Sequence, residues 1–264
     1  MALAACDDVS VTVTPTTTLT GPTIEPSATF RARLPGDYVP DEFVGISDPT
    51  AAALAPGAAM PPLGIPGSAA NGDQQSVEVT ADDGTQMVGD LYMSMALRQP
   101  GVLLFAPDRT AWGEFPVTLH AGGFTVLVLG MRDEHQAEDL RAAIQSLSQS
   151  ASPDQLGVIG AGEGADAGLL GCAGEGLCKA LVLLSPSDAP GLLDAVGRYN
   201  PRPLFLAATQ EDTPSFNGIS AIRGAATGAV FFQPFEKAGY GTALLDNRPD
   251  LGALIVEWLQ QNLS

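Results

Sequence analysis

The residues best placed to do chemistry sit in one short turn. Gly160-Ala161-Gly162-Glu163-Gly164 follows the apolar run Gly157–Gly160 and precedes the helical stretch Ala165-Asp166-Ala167-Gly168-Leu169-Leu170. A strand that turns through tight glycines into a helix is the setting in which G-x-S-x-G presents a nucleophile at its apex. Here the apex is Gly162, which carries neither hydroxyl nor thiol. Acyl transfer by a serine also needs a base, and in that chain order the histidine comes last. The chain has two histidines, His120 and His135, and both precede the turn. His120 ends a predicted helix (WGEFPVTLHAGGF) and reads as a surface residue. His135 follows a strand's C-terminal end, from which it could approach a cleft.

The same residues admit other readings. Gly160-x-Gly162-x-x-Ala165 fits a dinucleotide fingerprint, but that turn belongs after the first strand of its sheet, with an acid about 20 residues on. Here it follows a late strand, Asp188 lies too far along, and Glu163 would repel a pyrophosphate. Asp133, Glu163 and Asp212 could gather to hold a hard cation or run acid-base chemistry. A solvated acidic rim explains them more simply. Ser185, Ser187 and Ser215 read as turn or cap residues, and Trp112 and Trp258 as core anchors.

Composition narrows the function classes. Thirty acids against 12 bases leave a net charge of −18 over 264 residues. That excludes nucleic acid, which needs clustered Lys and Arg, and electrostatic docking on an anionic membrane. No apolar run reaches the roughly 18 residues of a membrane helix. Three cysteines suit neither a disulfide scaffold nor a zinc cluster. No metal and no cofactor is expected.

From residue 73 onward the pattern is that of a folded domain. Ser76–Thr80 alternates apolar and polar residues, Asp82-Asp83-Gly84 is a turn, and Met87–Met95 supplies the second strand of a hairpin. Then come the apolar runs Val102–Ala106, Thr125–Leu129, Gly157–Gly160, Ala180–Leu184, Pro203–Ala207 and Ala229–Phe232. Short runs of this kind are buried parallel strands, covered on both faces. Helical stripes separate them: Leu140, Ile144 and Leu147, then Leu251, Leu254, Ile255, Trp258 and Leu259. The expected fold class is α/β, a mostly parallel doubly wound sheet with an N-terminal antiparallel hairpin.

In this order the segments resemble the α/β-hydrolase family, above all its dienelactone-hydrolase-like and serine-aminopeptidase-like members, over residues 76–262. DDGTQMVGDLY is similar to that family's N-terminal strands, and Pro100-Gly101-Val102-Leu103-Leu104 to the strand before its oxyanion loop. Ala180–Pro186 (ALVLLSP) resembles the strand after the elbow helix. Pro203–Asp212 (PLFLAATQED) resembles the strand that delivers the catalytic acid, and Ala238–Leu244 (AGYGTAL) the loop that delivers the histidine. The resemblance implies a degenerate triad. Gly162 stands at the nucleophile position, Asp212 is the retained acid, and Tyr240 stands where the family reads A-G-H-G. Ala106-Pro107 replaces the oxyanion loop, and proline has no N–H to donate. A glycine keeps the strained turn without penalty while removing the chemistry.

Residues 7–72 read as a Pro/Thr-rich flexible linker. Prolines 15, 22, 26, 35, 40, 49, 56, 61, 62 and 66 break helices and ladders alike. Fully extended, its 66 residues span roughly 200 Å or a little more. The alternative is a segment packed along the domain through Tyr38, Phe43 and Val44. Ahead of it, Leu3-Ala4-Ala5-Cys6 resembles a bacterial lipoprotein lipobox, with Cys6 the lipid attachment point and residues 1–6 the remnant of the signal. Only five residues precede Cys6, fewer than a signal peptide has, so this reading expects a start upstream of Met1 or a trimmed leader. The alternative is a chance LAAC on a cytoplasmic protein. Cys172 and Cys178 bracket a short loop and form a candidate disulfide, as an oxidising compartment allows, or else a pair of small buried thiols.

The expected arrangement is three-part: residues 1–6, the linker 7–72 and the α/β-hydrolase-fold domain 73–264. The expected protein is an extracytoplasmic lipoprotein held to the membrane by its lipid alone. It would have no intact catalytic residues and would bind an unknown small-molecule or protein ligand in a cleft lined by Ala106, Pro107 and Glu163. The alternative is an ester or peptide hydrolase with a rebuilt set, Glu163 or Asp212 as base and Tyr240 assisting.

Overall fold

The computed structural model describes residues 74–95 and 99–263. The lipobox, Cys6 and the linker lie outside the described residues. Within them, eight strands form one sheet in the order β1-β2-β4-β3-β5-β6-β7-β8. They are β1 (Gln74–Thr80), β2 (Gln86–Tyr92), β3 (Gly101–Ala106), β4 (Thr125–Gly130), β5 (Leu156–Ala161), β6 (Cys178–Leu184), β7 (Leu204–Thr209) and β8 (Val230–Phe235). β1 pairs antiparallel with β2, and β2 antiparallel with β4; every other neighbouring pair is parallel.

The helices are α1 (Phe115–Ala121), α2 (Gln136–Ala151), α3 (Glu163–Gly174), α4 (Gly191–Tyr199), α5 (Thr213–Ala225), α6 (Ala243–Asn247) and α7 (Pro249–Asn262). Alternation along β3 shows how both faces are covered. Leu103 and Phe105 join a core with Leu140, Leu147, Leu169, Val196 and Ile219, beneath α2 to α5. Val102, Leu104 and Ala106 join a second core with Leu119, Leu251, Ile255 and Leu259, beneath α1 and α7. Trp112 and Trp258 are both buried in that second core, and Trp258 meets the Phe205 ring edge-on at 5.7 Å.

Several element ends differ from the expected ones for local reasons. β2 stops at Tyr92 rather than Met95, where its pairing with β4 ends at Val126. β7 begins after Pro203, which has no N–H for the ladder, and runs on to Thr209. β8 extends to Phe235 through Pro234, which an edge strand tolerates.

Of the two readings of the cysteine pair, the structure has the buried thiols. Cys172 and Cys178 are free, fully buried thiols joined by a side-chain hydrogen bond, not a disulfide. Burial pushes the Cys172 thiol up, which keeps thiolate, the form that exchanges, scarce. The loop between them is held instead by Arg202. Its guanidinium donates to the carbonyls of Cys172 at 2.9 Å, Glu175 at 2.7 Å, Cys178 at 2.8 Å and Tyr199 at 2.8 Å, and lies 4.0 Å from the Tyr199 ring centre. A planar fork of donors suits four converging carbonyls as no ammonium does. Arg202→Met therefore strips partners from half-buried carbonyls and is expected to destabilise the domain by about 3 kcal/mol in urea unfolding. A loss below about 1 kcal/mol would show that the loop does not depend on the guanidinium.

Candidate functional site

Order in the sheet locates the site. β3 connects onward to β4 on one side, while β5 lies on its other side, so connections diverge between β3 and β5. Crevices in open α/β sheets form at the carboxyl ends of the strands at such a point. Ala106 and Pro107 leave β3 there, and Gly162 leaves β5.

Gly162 sits between β5 and α3 with φ 58° and ψ −125°, a conformation costly for residues with a side chain. Its N–H donates to the Leu184 carbonyl at 2.8 Å, and its carbonyl accepts from Ala165 at 2.9 Å. The flanking glycines are needed for space. A Cβ at Gly164 would collide with the Phe105 carbonyl of β3, and one at Gly160 with the backbone of Gly164 and Ala165. A Cβ at Gly162 itself would lie 2.9 Å from Cε1 of Tyr240 and 3.0 Å from its hydroxyl. The phenol therefore leans on the bare apex of the turn.

The loop carrying Tyr240 is fixed by partners distant in sequence. Gly239 and Gly241 take positive φ on either side of it. The Gly241 N–H donates to Oγ of Ser185 at 3.0 Å, and the Ala238 N–H to Oγ1 of Thr209 at 3.2 Å. Asn247 donates to the Ala238 carbonyl at 3.1 Å. Ser185 is buried, has φ 55°, and accepts at its carbonyl from Ser215 at 3.3 Å. Ser185 and Ser215 thus position the loop, a role that goes beyond the turn or cap expected of them.

Ala106, Pro107, Gly162, Glu163 and Tyr240 line one cavity of about 230 Å3 with Asp108, Ala111, Ala161, Gly241 and Thr242. A larger hollow of about 420 Å3, beside Pro100, Phe124, Gln155 and Leu263, opens at the strands' N-terminal ends, away from the turn. Asp212 does not line the cleft. It precedes α5, and its Oδ2 is buried without a hydrogen-bond partner. Its charge still reaches Tyr240: burial raises the phenol's pKa, and Asp166, Asp212 and Glu163 raise it further.

Asp166, one turn into α3, was not singled out by the sequence. It accepts from the Ser187 N–H at 2.8 Å, while burial raises its carboxyl pKa. Its spacing of four from Gly162 is the signal that would have found it, since that puts both on one face of the helix start.

Neither histidine lines this cleft. His120 is half-buried rather than a free surface residue, its ring 6.3 Å from that of Tyr92. His135 turns away to Glu138, 2.6 Å from Nδ1, near Asp83 of the leading hairpin. Asp133, Glu163 and Asp212 form no cation cluster. Among the described residues, the one group of potential ligands that gathers is Asp83, His135 and Glu138, where Arg132 already pairs with Asp83 at 2.8 Å.

No protein-family model matches the chain, and no curated protein does. Solved structures do. The esterase domain of a Rhodothermus marinus protein superposes with a TM-score of 0.63 at 18% identity, over 72% of this chain and 100% of that one. A dienelactone hydrolase from Anabaena variabilis gives 0.62 at 15% identity, over 73% and 100%. An esterase from Pyrococcus furiosus gives 0.61 at 16%, over 72% and 91%. With its leading antiparallel hairpin, its parallel strands and its helices on both faces, this chain has the α/β-hydrolase fold.

Proposed function

We propose that the domain is a non-catalytic α/β-hydrolase-like protein that binds a ligand or partner in the cleft between β3 and β5. The observation that carries this reading is Gly162 at the apex, with the Tyr240 ring against it. Gly162, Asp212 and Tyr240 then stand as a degenerate triad, with no attacking atom and no imidazole. In a serine protease, removal of the nucleophile or the base alone costs about a millionfold in turnover. Pro107 also withholds the N–H that an oxyanion loop would contribute.

A rebuilt catalytic set built on Tyr240 is disfavoured by its environment. Burial and three carboxylates hold the phenol protonated at neutral pH, which suits a hydrogen-bond donor and not a nucleophile or base. On the same reading the chain is an extracytoplasmic lipoprotein, tethered through a lipidated Cys6 and the Pro/Thr-rich segment. The order of cysteine, tether and domain along the sequence supports this.

The purified chain is expected to leave short-chain p-nitrophenyl esters at the background rate and to escape labelling by a fluorophosphonate. Ester turnover that is abolished by Asp212→Asn or Tyr240→Phe would overturn the non-catalytic reading. Gly162→Ser alone is expected to lose about 1–3 kcal/mol in urea unfolding, because it adds a strained φ and a clash with Tyr240. Gly162→Ser combined with Tyr240→His relieves the clash and should be the more stable of the two. Equal stability of the single variant and the parent would show that the ring does not pack on the apex. Mass spectrometry of the native N-terminus should find a lipid on Cys6; an unmodified thiol there would rule out the anchor.

A further inference from the structure

The walls of the cleft and its electrostatics differ in kind. Ala106, Pro107, Ala111 and Ala161 present carbon, and Tyr240 adds a ring that is 52% exposed. The charges acting on that ring are those of Asp166, Asp212 and Glu163, all negative. Glu163 and Asp108 also belong to the lining. Hydrogen bonds from the Thr110 backbone and hydroxyl hold the Asp108 carboxyl below its ordinary range, so it stays ionised.

Nearby cations are committed elsewhere. Arg109 pairs with Asp90 at 2.6 Å and Lys237 with Glu211 at 3.4 Å. Arg248 pairs with Asp250 at 2.9 Å and stacks 4.3 Å from the Phe235 ring centre. An anion entering the cleft would meet a net like charge, offset only in part by the charge of Arg109 on Asp108 and by the N-terminal end of α3. A neutral apolar guest would use the walls and leave the carboxylates without a counter-charge. A cation whose charge is spread over methyl groups uses both, because carbon surface contacts the walls while the charge meets the ring and the acids. The volume, about 230 Å3, falls below the roughly 300–1,000 Å3 of sites for drug-sized ligands, which restricts the guest to a small one.

We propose that this cleft binds a small organic ammonium ion, tertiary or quaternary, with its alkyl groups against Pro107 and Ala111 and its charge beside Tyr240. The inference rests on the reading of the cleft as a binding site and assigns its ligand class.

Tetramethylammonium chloride and tert-butanol, a neutral molecule of similar shape, test it on the full chain at matched ionic strength. The readout is the amide NMR shifts of Gly162, Glu163 and Gly241. Tetramethylammonium is expected to produce saturable shifts, and tert-butanol to bind at least about tenfold more weakly. Tyr240→Phe keeps the ring and should stay within about twofold; Tyr240→Leu should weaken the ammonium about tenfold. Glu163→Gln should weaken it about two- to threefold, and added salt should weaken it further. Equal binding of tert-butanol, or no saturable shift with either compound, overturns the proposal. Should Tyr240→Leu fail to fold by circular dichroism, the comparison of the two compounds and Glu163→Gln still decide. Ester turnover would defeat the non-catalytic reading while leaving the ammonium result standing. Absence of both turnover and ammonium binding would defeat only the ligand assignment.

Discussion

Between β5 and α3 the chain reverses at a single residue, and that reversal sets the shape of everything around it. Residue 162 must take a positive φ to pass from Ala161 to Glu163, and its N–H is tied to the Leu184 carbonyl of the neighbouring strand. In most proteins a side chain at such a position would be strained. Glycine releases that strain and leaves an open face at the tip, and the Tyr240 ring fills it. Close packing beneath the turn needs the other glycines as well, since Gly164 abuts the Phe105 carbonyl of β3. Distortion of the turn would therefore pass directly into the centre of the sheet.

The frame that holds this turn is apolar and two-faced; the loop opposite it is polar and held by few bonds. Leu103, Phe105 and their neighbours lock β3 and β5 in place from one side, Val102 and Leu104 from the other. Tyr240, by contrast, depends on single hydrogen bonds beside it: the Gly241 and Ala238 N–H groups donate to the Ser185 and Thr209 hydroxyls, and Asn247 donates to the Ala238 carbonyl. Each such bond contributes about 1 kcal/mol net, yet together they choose one conformation among many for a loop flanked by two glycines. Ser185 bears a cost of its own, a positive φ without being glycine. A buried hydroxyl that accepts from Gly241 accounts for its presence there.

How much was legible followed from how local each signal is. Strand runs such as Val102–Ala106 were readable because burial on both faces demands continuous apolar residues, and the stripe through Leu251, Ile255 and Trp258 because one face of α7 is covered. The turn at Gly162 was readable because glycine spacing encodes backbone approach within a few residues. Tyr240 and Asp212 were found through resemblance, and the fold brings Tyr240 onto the turn and Asp212 within its electrostatic reach. What escaped was long-range. The hydrogen bond from Gly241 to Ser185 spans 56 positions, and nothing near Arg202 in sequence announces that its fork ends on Cys172 and Glu175. His135 misled for a different, local reason: its position after β4 allowed the cleft, but Glu138, three residues on, holds it elsewhere.

Tyrosine at 240 also accounts for the state of Asp212. An imidazole has two nitrogens on opposite edges and can meet an acid with one and a nucleophile with the other. A phenol has a single hydroxyl at one end of a rigid ring. With that hydroxyl about 3 Å from where a Cβ of residue 162 would stand, it serves the turn and not the acid. Asp212 Oδ2 accordingly lies buried with no hydrogen bond, a situation that costs about 1–3 kcal/mol for a polar group. Folding alone would favour an apolar residue at that position. A carboxylate there makes physical sense if its charge acts on something in the cleft, and its field is felt at Tyr240, together with those of Asp166 and Glu163. The carboxylates of Asp166, Asp212 and Glu163 thus place a negative potential at the Tyr240 ring, one that a cation in the cleft would share.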